Sequence, residues 1–231
     1  MSRYERQAGS WVYDELRGKI ENLVYDPGQE LQLVHLSQEL GVSRSPVRDA
    51  LLRLERDRLV DIFPQKGTRV SYLDRETIMQ ERFLRTAVEL RVFDEFLERE
   101  YDEKGRLVLV TRLRGCLLQQ RTALLTGDVV AFLTSDIDFH TVFYDEVGYE
   151  RILKVIQAHT GNEHRARLLN MKVATSMEAV YEEHEAMVDA IEKDDRERAK
   201  TLLAGHFGKL GDELDHLIVA YPDFFTAEST R

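Results

Sequence analysis

Residues 40–60 read LGVSRSPVRDALLRLERDRLV, and residues 64–70 read PQKGTRV. Gly41 stops a short helical pattern that runs from Val34 to Leu40, and Val42-Ser43-Arg44 forms a tight turn. Ser45 followed by Pro46 marks a helix start, because serine caps free backbone N–H groups and proline suits the first helical position. Val47, Leu51, Leu54 and Glu55 carry that helix to about Asp57. Leu59–Phe63 and Thr68–Tyr72 are short β-like segments around Pro64-Gln65-Lys66-Gly67, which predicts a hairpin. Two short helices joined by a glycine-containing turn and followed by a hairpin are the ingredients of a winged helix-turn-helix.

Upstream, Val12, Leu16, Ile20 and Leu23 fall at helical spacing from Ser10 to Asn22, and Pro27-Gly28 breaks that helix. After Asp74, itself a suitable N-cap, long helical periodicities fill the chain. They are interrupted near Glu103–Gly105, Gly127, Gly148, Gly161, Asn170–Ala174 and Asp194–Asp195. The expected fold is mainly α. A winged helix-turn-helix domain occupies residues 1–73, an all-helical bundle occupies 74–221, and a loose tail begins at Pro222.

Composition narrows the function classes. Hydrophobic residues at 43% and charged residues at 32% describe a globular chain rather than a disordered one. No stretch approaches the length of a membrane span, and the charged N-terminus has no secretory apolar region, so the expected location is the cytoplasm. The single cysteine, Cys116, cannot form an intramolecular disulfide and reads as a small core residue. The net charge of −10 at first argues against nucleic acid, but residues 1–74 carry only −1 of it and the remainder −9.

A recognition helix enters the major groove by its N-terminal end, here Ser43-Arg44-Ser45-Pro46-Val47-Arg48. Arg44 and Arg48 lie one turn apart, where guanidinium forks reach guanine edges or phosphates, and Ser43 and Ser45 can donate to phosphates. Lys66 and Gly67 at the hairpin tip offer charge and close backbone approach. Two arginines on a short helix are, taken alone, more often a solvated surface. The run from Trp11 to Val70, however, resembles the DNA-binding domain of the GntR family. That resemblance implies DNA contacts at Ser43, Arg44, Ser45, Arg48, Lys66 and Gly67. Arg58 stands where the family usually has glycine, a position where the helix closes in a left-handed turn.

Three helical stripes in the second half carry polar residues among apolar ones. Asp136 and His140 lie on the stripe of Phe132, Leu133 and Phe143. His184 lies among Val180, Met187 and Val188, and His206 among Leu202, Leu203 and Leu210. A lone inward histidine is usually a satisfied core residue. Four such groups on three apolar faces would be costly to bury unpaired, and one divalent cation satisfies them all. Three imidazoles and a carboxylate suit Zn2+, Ni2+, Mn2+ or Fe2+ better than Mg2+ or Ca2+.

The pattern also resembles the FCD ligand domain of the FadR-like GntR subfamily, which has six or seven helices. It matches at Arg85, Asp136, His140, His184 and His206. The resemblance implies that the last four ligate a divalent metal, Zn2+ foremost, and that Arg85 pairs with a carboxylate effector. The alternative for Arg85 is a salt bridge with Glu89. The Ser-Gly-Asn of the family is absent; Glu146-Val147-Gly148-Tyr149 stands in its place. The expected protein is a homodimeric, non-enzymatic repressor that binds a palindromic duplex operator under control of a small organic or sugar acid. The rivals are a metal-dependent enzyme acting on a small organic acid and a DNA-binding or dimerisation module with a filled core.

Overall fold

The computed structural model describes residues 3–172, 176–208 and 210–227. Residues 3–79, 158–166 and 217–227 form one compact unit, and the other described residues form a second. The sequence suggests a contiguous split at residue 73 and a loose tail. Instead the tail returns to the first unit. Leu73 and Phe225 make a parallel bridge, Leu73 N donates to Phe224 O at 2.8 Å, and Thr226 N donates to Leu73 O at 2.9 Å. Phe225 is buried, so the apolar side chain anchors what composition alone marks as polar and loose. The last four residues of that expected tail, 228–231, lie outside the described residues.

In the first unit, α1 (Arg3–Glu21) is followed by a two-residue strand β1 (Glu30–Leu31), α2 (Leu33–Glu39), α3 (Arg44–Arg56), β2 (Val60–Phe63) and β3 (Gly67–Val70). The strands form an antiparallel sheet of order β1-β3-β2, with Glu30 opposite Arg69 and Ile62 opposite Thr68. Leu16 and Ile20 of α1, Leu36 of α2 and Val47, Ala50 and Leu54 of α3 fill the core beneath it. The helix expected to be capped by Ser45 and to begin at Pro46 begins two residues earlier, at Arg44, with Ser43 as its extended N-cap and no side-chain capping bond. Pro46 still fits, because the first four N–H groups of a helix have no helical partner. Arg58 closes the segment with φ +57°, the left-handed conformation that glycine usually supplies.

The second unit is helical. From Asp74 onward the chain forms α4 (Arg75–Leu97), α5 (Glu103–Thr126), α6 (Val129–Val147), α7 (Glu150–Ala158), α8 (Gly161–Met171), α9 (Ser176–Glu192), α10 (Arg196–Gly208) and α11 (Leu210–Ala220), of which residues 75–79, 158, 161–166 and 217–220 belong to the first unit. That is more helices among the described residues than the six or seven expected. Gly148 ends α6 with φ +76°. The predicted break at Asn170–Ala174 falls partly on 173–174, outside the described residues. Asp74, Asp102 and Asp128 each accept a backbone N–H three residues on, at 2.7–2.9 Å, and so fix the starts of α4, α5 and α6. Phe93, Phe96, Phe139 and Phe143 make edge-on and tilted contacts that form the centre of this core. No helix among the described residues is long and apolar enough to cross a membrane.

Gly28 is the tightest backbone approach in the first unit. Its φ is +83°, its N–H donates to Val70 O at 2.9 Å, and a Cβ built there would lie 2.6 Å from the Tyr72 hydroxyl. Gly28→Ala is therefore expected to destabilise this unit by about 1–3 kcal/mol. Trp11 is the only tryptophan in the chain and lies in the same unit, so urea unfolding followed by its fluorescence reads the loss. An unchanged midpoint would refute the strain assigned to Gly28.

Candidate functional site

The second unit brings Asp136, His140, His184 and His206 together. One potential ligand atom from each lies within 4.8 Å of all the others. Asp136 and His140 are one turn apart on α6, His184 comes from α9 and His206 from α10. Asp136 and His184 are 0% exposed. Apolar neighbours on the same helix faces draw these polar groups inward, since the stripes that carry them are core.

The outer nitrogens of His184 and His206 are each engaged by an acceptor. His184 Nδ1 lies 3.1 Å from Gln120 Oε1, and His206 Nδ1 lies 2.8 Å from Glu183 Oε2. Glu89 Oε2 stands 2.8 Å from His140 Nδ1, though off the hydrogen-bonding direction of the ring. Acceptors at Nδ1 assign the proton to that nitrogen and leave the Nε2 lone pair for the interior. His140 Nε2, His184 Nε2 and Asp136 Oδ1 are buried and have no hydrogen-bond partner among the described residues. Convergent orphaned donors of this kind fit a divalent cation, and the N3O set fits a borderline-soft one.

Charge follows the same geometry. Burial alone would push the Asp136 carboxyl up, but Arg167 with His140 and His184 outweighs it and holds the group far below the usual carboxylate range. Arg167 donates to Asp136 Oδ2 directly. Burial likewise opposes ionisation of Glu89, and Arg85 with His140 overcomes it. Arg85 Nε donates to Glu89 Oε1 at 2.6 Å. Burial, reinforced by neighbouring imidazoles, pushes His184 well below its ordinary value. Burial also lowers His206, against the pull of Glu183. Both shifts favour the neutral ring, the form that ligates metal.

A cavity of about 190 Å³ opens beside the cluster. Asp136 and His206 line it together with three arginines, Arg82, Arg85 and Arg167. Asn170 and Glu213, themselves joined by a 3.0 Å hydrogen bond, stand on the same wall. Arg85 pairs with Glu89, the alternative read from the sequence, and also lines the cavity. Gln120, Glu183 and Arg167 were not anticipated. Gln120 follows Leu113 and Leu117 on the buried face of α5, so its stripe carried a signal; Arg167 sits in α8, where the sequence gives no such period.

In the first unit, the inner face of α3 is buried through Pro46, Val47, Ala50, Leu51 and Leu54. Ser43, Arg44, Ser45 and Arg48 are exposed, and neither arginine has an ion pair among the described residues. Lys66 and Gly67 are exposed at the turn between β2 and β3, where Lys66 N donates to Phe63 O at 3.0 Å.

Comparison with known proteins agrees with both halves. Residues 9–70 match the family described as bacterial regulatory proteins, gntR family, and residues 84–209 match the FCD domain. The chain is 30% identical over 218 residues to an HTH-type transcriptional regulator from an unstable DNA locus of Streptomyces ambofaciens, covering 94% of this chain and 89% of that one. It is 23% identical to the HTH-type transcriptional repressor RspR of Escherichia coli K12, over 94% and 93% of the two chains. Among solved structures, E. coli McbR/YncC superposes with a TM-score of 0.74 at 18% identity, covering 93% of this chain and 98% of that one, which shows a shared fold. The chain therefore belongs to the GntR family of bacterial regulatory proteins and carries an FCD domain.

Proposed function

We propose that this protein is a transcription regulator that binds a palindromic duplex operator as a homodimer, acts as a repressor, and responds to a small organic or sugar acid. The observation that carries the reading is the amphipathic split of α3: its apolar side is core, while Arg44 and Arg48 project from the other side at the helix N-terminus with nothing to neutralise them among the described residues. An α-helix fits the major groove, and its N-terminal arginines reach guanine O6 and N7 or flanking phosphates. Ser43 and Ser45 donate to phosphates beside them, and Lys66 with Gly67 approaches the adjacent minor groove. The family membership and the repressor among its relatives support the same assignment.

Asp136, His140, His184 and His206 hold a divalent transition metal, with Zn2+ first among the ions their chemistry suits. Bound there, the ion supplies a concentrated positive charge for an anionic ligand. The cavity beside the cluster is lined by arginines, so an acid's carboxylate is held by Arg85, and the cavity's 190 Å³ limits the ligand to a small molecule. Glu89 fixes the Arg85 guanidinium through their 2.6 Å bond. Effector binding then needs to shift operator affinity by only about 1–3 kcal/mol to act as a switch.

Two outcomes follow. Arg44→Ala and Arg48→Ala are each expected to weaken binding to a duplex from the protein's own promoter region by about 1–3 kcal/mol or more without loss of helical circular dichroism; full affinity in a gel shift would reject their assignment. His184→Ala is expected to lose bound metal, and elemental analysis showing stoichiometric metal in that variant would remove the metal assignment.

A further inference from the structure

The outward face of α5 is apolar and has no partner among the described residues. α5 packs between α6 and α9, burying Leu109, Leu113 and Leu117. Its flanks are tied down by Arg112, which binds Asp145 and Glu146 of α6, and by Arg114, which binds Asp189 and Glu192 of α9. The remaining side carries Leu107, Leu118 and Leu125, exposed by 67%, 69% and 73%, with Thr111 and Thr122 between them. At 3.6 residues per turn these five fall within an arc of about 60° and span roughly 27 Å along the axis. No charged residue falls inside that arc between Leu107 and Leu125.

Gly115 stands at the edge of the stripe near its midpoint. It is exposed in the middle of a 24-residue helix, and a Cβ built there meets nothing within 4 Å. Glycine is the poorest helix former after proline, and nothing in the chain's own packing requires it here. A glycine at this point leaves room for a second helix to cross close.

We infer that the α5 face is the interface between two copies of this chain, packed antiparallel about a two-fold axis that lies between Gly115 and Leu118. In that register Leu118 of one copy covers Gly115 of the other, Thr111 meets Thr122, and Val108 meets Leu125. The stripe is thus self-complementary, as an isologous interface demands. With α6 and α9 flanking at about 8–10 Å, the face measures roughly 27 by 25 Å, on the order of 700 Å², close to the ~800 Å² per partner of a standard stable interface. Its rims carry both signs, Arg114 and Arg121 beside Glu185 and Asp189, so a second copy meets no uniform like charge. The inference rests on the homodimer reading and assigns that dimer its surface.

Sedimentation velocity of the full chain and three variants tests it. The unaltered protein sediments at twice the chain mass. Leu118→Asp and Gly115→Gln raise the dimer dissociation constant at least 100-fold while helical circular dichroism is kept. Phe83→Ser, at an exposed apolar position of α4, stays dimeric. Glutamine favours a helix more than glycine does, so Gly115→Gln decides the matter even if Leu118→Asp fails to fold. Dimers that survive both α5 substitutions, or that dissociate only with Phe83→Ser, overturn the α5 assignment and leave the homodimer reading standing. An unaltered protein that stays monomeric at every concentration, alone and with DNA, removes the homodimer reading itself.

Discussion

A carboxylate with no solvent exposure must be compensated, and Asp136 organises the helical unit around that need. An uncompensated buried charge costs several kcal/mol. Arg167 satisfies one carboxylate oxygen, and the three imidazoles converge on the other. Gln120 on α5 orients His184, Glu183 on α9 orients His206, and Glu89 on α4 stands beside His140, so all three become parts of the same network. Glu89 then needs Arg85. Six helices thereby supply side chains to a polar centre inside an otherwise apolar bundle, a cluster able to hold a metal with an arginine-lined cavity beside it.

The DNA-reading half follows a different logic. Its energetics come from an apolar core under a three-stranded sheet, and Ser43, Arg44, Ser45 and Arg48 are what that core leaves outside. The chain's −10 charge does not oppose duplex binding, because the acidic excess lies beyond residue 74. Arg44 and Arg48 are left without acidic neighbours in ion-pair contact among the described residues. Arg17, Lys19 and Arg69 of the same unit, by contrast, are held by Glu21, Glu39 and Asp61. Pairing thus distinguishes cations that hold the fold from the two α3 arginines, which have no ion pair among the described residues.

Much of this was legible in sequence wherever a local period carried the signal. The apolar positions of α3 and the breaks at Gly41 and Asp57 mark the helix-turn-helix, and the misfit of Asp136, His140, His184 and His206 on apolar stripes marks the polar centre. What sequence left open depends on long-range contacts. β1 is two residues long and exists only because β3 pairs with it. The return of Phe225 to Leu73 joins positions more than 150 residues apart. Arg167 is an ordinary surface-type residue by its neighbours in sequence, and only the approach of α8 to α6 turns it into the counter-ion of Asp136.

The dependence of the helical unit on its polar centre is tested most directly by thermal unfolding of the full chain before and after dialysis against a chelator, followed by readdition of Zn2+. A cation that binds only the folded cluster must raise its Tm by mass action. The transition is expected to fall by several degrees on chelation and to recover with the ion. Superimposable transitions under all three conditions would contradict it.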